Sequence, residues 1–240
     1  MSYSPYHWVT HGPFTGDTQA LALDHSMNPP TLYAGTDGGG VFKSTDNGFN
    51  WVAQSNKLYG GSEVQALAID YDDNNTLYAG TEGGVFRWTN RQWNWRMNRW
   101  EAGHWTDIGL CPNGAKKADF GEVQALAISP RHVTPYGVQE PTLYVGTEQN
   151  GVFYSRDRGE SWFQPNTITD NYGKRYYPNT LNVRALAVDP LNPEVVYAGI
   201  NSYYDAKQDS GVFKSVDNGA NWTRLDNWGP EKSDAWPSRP

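Results

Sequence analysis

The chain has 240 residues, a net charge of -7, and 19 Lys plus Arg without a basic run, which excludes charge-driven binding to nucleic acid or an anionic membrane surface. Hydrophobic residues make up only 38%, but 11 Trp and 15 Tyr concentrate apolar area in few positions and predict an aromatic-rich core. The one cysteine, Cys111, excludes an intrachain disulfide and a cysteine-based zinc site, and no apolar run approaches the roughly 20 residues that insert across a bilayer.

Residues 1–17 lack the charged and apolar regions of a secretory signal. His7-Trp8-Val9 aligns with Asn50-Trp51-Val52, so residues 6–10 read as an extra strand. A unit then recurs four times. Its first element reads Gln19-Ala-Leu-Ala-Leu-Asp24, Gln65-Ala-Leu-Ala-Ile-Asp70, Gln124-Ala-Leu-Ala-Ile-Ser129 and Arg184-Ala-Leu-Ala-Val-Asp189. Its second is Leu32-Tyr-Ala-Gly35, Leu77-Tyr-Ala-Gly80, Leu143-Tyr-Val-Gly146 and Val196-Tyr-Ala-Gly199, and its third opens with Gly-Val-Phe at Gly40, Gly84, Gly151 and Gly211. A fourth closes around tryptophan. These runs are short, β-branched and aromatic, and bounded by Gly, Pro, Asn and Asp, which predicts strands joined by tight turns. The first two are apolar on both faces, as required when each small sheet is covered by a neighbour on either side. Four strands per unit of about 40 to 60 residues is the pattern of a propeller blade. The expectation is therefore an all-β propeller of four-stranded antiparallel blades at about 18–56, 63–100, 122–166 and 182–225, with an N-terminal strand and linker over 1–17 and an extended tail over 226–240.

Between the third and fourth strands stands Ser-x-Asp-x-Gly-x-x-Trp, at Ser44, Asp46, Gly48 and Trp51, at Ser155, Asp157, Gly159 and Trp162, and at Ser215, Asp217, Gly219 and Trp222. A degenerate copy runs from Trp88 through Asn90 to Trp95. The motif resembles the Asp-box, or BNR repeat, of sialidase-like, sortilin-type, xyloglucan-hydrolase and photosystem-assembly propellers, across residues 18 to about 225. Asp and Ser can hold turn backbone groups, Gly permits a left-handed bend and Trp covers the blade edge, so the box is expected to be a structural clasp. The resemblance further implies an extracellular or cell-envelope setting. The Arg-Ile-Pro segment that accompanies the sialidase pattern is lacking.

Function is expected in the loops. Insertions at residues 96–121, 165–181 and 200–210 are predicted at the channel mouth and carry Trp100, Trp105, Tyr172, Arg175, Tyr176, Tyr177, Tyr203 and Tyr204. Aromatic planes beside hydrogen-bonding groups suit a sugar ring, a protein hot spot, or a mini-core that holds the loop down. Asp37, Glu82 and Glu148 follow the second strands at equivalent points, where they suit sugar hydroxyls, a cation or an acid/base pair. Asp70-Tyr71-Asp72-Asp73-Asn74 opens like a calcium loop, but Asn75 and Thr81 stand where Gly and Glu are needed, so it reads as a turn. No residue set predicts a metal, a cofactor or a catalytic triad. These features favour a non-catalytic binding or assembly module for a protein partner or glycan, with a glycoside hydrolase fragment as the alternative. An uncapped blade edge also invites self-association to complete the ring.

Overall fold

The computed structural model describes residues 12–13, 15–58, 63–70, 72, 76–89, 92–94, 96–109, 122–134, 137–170, 173–177, 181–202 and 210–225. Among them every regular element is a strand. The chain divides into two compact units, Met1–Leu110 and Cys111–Pro240, each built on two propeller-type sheets. The proposed N-terminal strand at 6–10 and the tail at 226–240 lie outside the described residues.

In the first unit, β1 (Thr18–Asp24), β2 (Thr31–Thr36), β3 (Gly40–Ser44) and β4 (Val52–Ala53) form one four-stranded sheet in chain order. The second sheet starts in the same way with β5 (Val64–Ile69), β6 (Leu77–Thr81) and β7 (Gly84–Thr89), but its outer strand is not the segment next in sequence. β8 (Gln92–Asn94) and β9 (Arg99–Glu101) form a separate hairpin, and β10 (His104–Asp107) pairs with β7. This blade therefore ends beyond the expected 63–100. The register explains why. Lys43 faces Val52 in the first sheet and Arg87 faces Thr106 in the second, so Trp105 takes the position that Trp51 holds one sheet earlier.

In the second unit, β11 (Val123–Ile128), a hairpin of β12 (His132–Thr134) and β13 (Gly137–Gln139), β14 (Leu143–Thr147) and β15 (Val152–Ser155) come first. The outer strand of this blade is reduced to a bridge between Tyr154 and Phe163. Then follow β16 (Thr167–Thr169), β17 (Leu181–Val188), β18 (Val196–Ser202), β19 (Gly211–Ser215) and β20 (Asn221–Arg224). β17 to β20 make a four-stranded antiparallel blade, and β16 adds to its outer edge in parallel, Ile168 beside Trp222. The first unit uses a similar device, since the Trp105 amide donates to the Asn56 carbonyl at 3.0 Å. The connector leaving one blade thus covers the outer edge of the next, where unpaired strand groups would otherwise be open.

Within each unit the sheets interlock face to face. Ala22, Tyr33 and Val41 meet Val64, Leu67, Phe86 and Trp105 in one core. Ala127, Tyr144 and Val152 meet Val183, Leu186, Phe213 and Trp222 in the other. Small residues on one face receive large ones on the next. A Cβ on Gly35 would lie 2.5 Å from Val64 Cγ1, and one on Gly146 would lie 2.6 Å from Val183 Cγ1, so glycine here is fixed by packing density.

Candidate functional site

The Ser-x-Asp-x-Gly-x-x-Trp turns share one geometry. In the first, the Ser44 hydroxyl donates to Asp46 Oδ1 at 2.8 Å and accepts from the Gly48 amide at 2.9 Å. Asp46 also accepts from the Asn50 amide at 2.9 Å and from Asn50 Nδ2 at 2.7 Å. The turns around Asp157 and Asp217 repeat this, with Ser161 and Asn221 as donors. Asn47 and Gly48 have φ of 60° and 84°, and two successive left-handed residues give a type I′ turn, which favours Asn-Gly. Arg158 and Asn218 hold the position before glycine at φ 59° and 56°. The hydrogen bonds lower the pKa of all three aspartates. At Asp46 the Asn50 amide leads. At Asp157 and Asp217 burial alone would raise the value, and the bonds from Ser161 and Ser155, or from Asn221 and Ser215, outweigh it. Every oxygen is thereby committed to the turn, which makes these carboxylates clasps. The Trp51 and Trp222 indoles close the motif on the Gly48 and Gly219 carbonyls at 3.0 and 2.9 Å, and Trp162 is buried. Asn90 and Trp95 lie outside the described residues.

The loop aromatics divide. Trp105 is 2% exposed, packs edge-on to Trp88 at 5.5 Å and donates to the Gln54 carbonyl at 2.6 Å. It is a core residue of its blade, held inward because β10 is the outer strand. Tyr176 is buried too, edge-on to Phe213 at 5.3 Å, with its hydroxyl accepting from Arg224 at 3.3 Å. The 165–181 insertion runs along the outer edge of the last blade through β16, so its described part sits at the blade periphery, away from the expected mouth. Tyr177 and Arg175 in this loop are exposed. The Trp100 side chain, Tyr172, Tyr203 and Tyr204 fall outside the described residues.

Asp37 and Glu82 are exposed and Glu148 is half-buried, each just after a second strand. The structure adds a partner set that the sequence reading missed. The Asp37 amide donates to the Asp17 carbonyl and the Glu148 amide to the Glu122 carbonyl, both at 2.8 Å, and Asn182 faces Asn201 in register. Acids therefore come in cross-strand pairs at one end of the first and third blades, and amides replace both in the fourth. Glu63 precedes β5 as Glu122 precedes β11, which gives Glu82 the same kind of neighbour in sequence. The signal lies in the acid two residues before each Gln-Ala-Leu-Ala run, at Asp17, Glu63 and Glu122. Gln124 Nε2 donates to Glu122 Oε2 at 2.8 Å, and Arg184 donates to Gln124 Oε1 at 2.9 Å. A carboxylate, an amide and a guanidinium thus run in line from one blade to the next on the inner strands. Among the described residues no group of three His, Cys, Asp or Glu is arranged to hold a metal ion.

No protein-family model matches the chain. It is 24% identical to the xyloglucanase Xgh74A of Acetivibrio thermocellus over 81% of its own length and 30% of that protein. It is also 24% identical to an oligoxyloglucan-reducing end-specific xyloglucanase of Emericella nidulans, over 82% of this chain and 21% of that one. The chain spans less than a third of the length of either relative. Among solved structures, an ancestral GH74 enzyme matches 90% of this chain with 24% of its own at a TM-score of 0.59 and 23% identity. The GH74 xyloglucanase of Xanthomonas campestris matches 89% with 31% of its own at 0.55 and 19% identity. These likenesses establish the β-propeller fold.

Proposed function

We propose that the chain is a non-catalytic glycan-binding module that holds a xyloglucan-type β-glucan at the blade ends where first strands begin and second strands end. The observation that carries this reading is the line Glu122, Gln124 and Arg184. Sugar hydroxyls are donors and acceptors at once, and a row of planar carboxylate, amide and guanidinium groups offers them paired hydrogen bonds. The sequence likeness to proteins named for xyloglucan supports the ligand class. The inward packing of Trp105 and Tyr176 removes two loop aromatics from a sugar or a protein contact alike and leaves this polar row to carry binding. In this reading the serine–aspartate clasps are Asp-boxes, residues 18–225 are one array of four blades flanked by 1–17 and 226–240, and the setting is extracellular or the cell envelope, where polysaccharide is met.

Titration calorimetry against xyloglucan, mixed-linkage glucan and mannan tests it. Xyloglucan should bind, and Arg184→Ala with Gln124→Ala should weaken binding at least tenfold at unchanged melting temperature, given about 1–1.5 kcal/mol per lost hydrogen bond. Absence of binding to every glycan would sink the proposal. The second reading, a glycoside hydrolase, is favoured by the acid pairs such as Glu122 with Glu148, since hydrolysis uses two carboxylates. Release of reducing sugar by the chain, lost in Glu148→Gln, would replace the first reading with this one.

A further inference from the structure

The blade interface is formed inside each unit from two complementary faces, and among the described residues a copy of each face also lies open. The forward face of a blade has alanines, a glycine, a tyrosine and a valine, and the rear face of the next has leucine, phenylalanine and tryptophan. Where the two meet, Val41 and Val152 are 0% and 1% exposed, and Trp105 and Trp222 are both 2% exposed.

The forward face of the last blade stands open. Val212, equivalent to Val41 and Val152, is 48% exposed, and Ala185 and Ala187 are exposed beside it. A Cβ on Gly199 would meet only Ala185 of its own sheet, at 3.5 Å. The hollow that Val64 and Val183 fill at Gly35 and Gly146 has no valine here. The rear face of the first blade is open too: Leu21 is 68% exposed and Leu23 41%. Thr18, with the branched shape of valine, stands where Val64 and Val183 stand in the second and fourth blades.

We propose that these two faces dock on each other between two copies of the chain, head to tail. The occupant is a second copy because each face is the missing half of an interface the chain already builds, with the same hollow and the same branched residue to fill it. Heterologous contacts of this kind close into rings when the rotation allows. The described residues of each chain form four blades, so a pair reaches the upper end of the roughly 4–8 blades usual for a propeller ring, and a third copy would exceed it.

Sedimentation velocity over the micromolar range, with a mass measurement, decides the matter. Wild type should reach twice the 26.9 kDa of one chain. Leu21→Asp and Val212→Asp should each sediment as monomer at unchanged circular dichroism, because both positions face solvent in the single chain. Mixed together they should reassociate, one copy lending an intact forward face and the other an intact rear face. Gly199→Leu, which fills the open hollow at a site with room for a side chain, should also give monomer and guards against misfolding of the charged variants. A wild type that stays monomeric, dissociation by only one of the two charged variants, or a mixture that fails to reassociate would each overturn the proposal.

Discussion

Gly219 lies so close to Tyr144 that a Cβ at that position would stand 2.8 Å from the ring carbon Cε1. The clasp of the last blade is therefore also part of its seat on the third blade. Gly48 has nearly the same φ, 84° against 82°, but its added Cβ would meet only Trp51, at 3.7 Å. Backbone strain is common to both positions and ring overlap belongs to one. Gly48→Ala should cost about 1–2 kcal/mol from its left-handed backbone, and Gly219→Ala about 1–3 kcal/mol more from overpacking. Urea unfolding at low protein concentration measures both, and equal losses would contradict the seating role.

Trp105 should behave as core. Trp105→Phe keeps most of the ring but abandons the Gln54 carbonyl, a loss of about 1–2 kcal/mol. Trp105→Ala should cost about 3–5 kcal/mol, the range for a large buried aromatic. Tyr177→Ala, at a site 69% exposed, should cost clearly less than Trp105→Ala. A ligand-binding Trp105 would show the opposite pattern, with affinity lost and stability kept.

Arg158 occupies the left-handed position before a clasp glycine that Asn47 and Asn218 hold elsewhere, at φ 59°. Asparagine tolerates this region better because its short side chain bonds locally. Arg158→Asn should therefore stabilise the chain by about 0.5–1 kcal/mol, the size of a backbone-matched substitution. Thermal melting reads this as a rise of a few degrees, about 2–4 °C per kcal/mol for a domain of this size.

Strand order and blade type were legible because every repeat carries the same alternation, from Gln19-Ala-Leu-Ala to Gly40-Val-Phe, and burial on both faces leaves no other arrangement for such short apolar runs. The outer strand of the second blade was not. Motif spacing points to Trp95, whereas pairing with β7 selects Trp105 across an inserted hairpin, and spacing carries no information about which segment pairs with β7. The inward turn of Tyr176 was hidden for the same reason, since its partners Phe213 and Arg224 lie far along the chain. The acid pairs were half legible. Asp37 and Glu148 stand out by their place in the repeat, but Asp17 and Glu122 become their neighbours only when the hairpin closes.

The clasp aspartates set the acid response. Asp157 and Asp217 are held below the ordinary carboxylate value of 3.8, so the folded state releases their protons more readily than the unfolded chain. Their stabilising contribution is complete above about pH 4 and is lost as pH falls through the depressed folded values. Asp217→Asn removes the charge and turns an amide toward Asn221 Nδ2, so two donors face each other where a 2.7 Å hydrogen bond stood. The variant should melt lower than wild type at pH 7, with the gap whole down to about pH 4 and closing as pH falls below that through the depressed folded value. Melting curves across that range check the sign. A gap that is constant with pH would mean that Asp217 acts in the clasp through shape alone, without its charge.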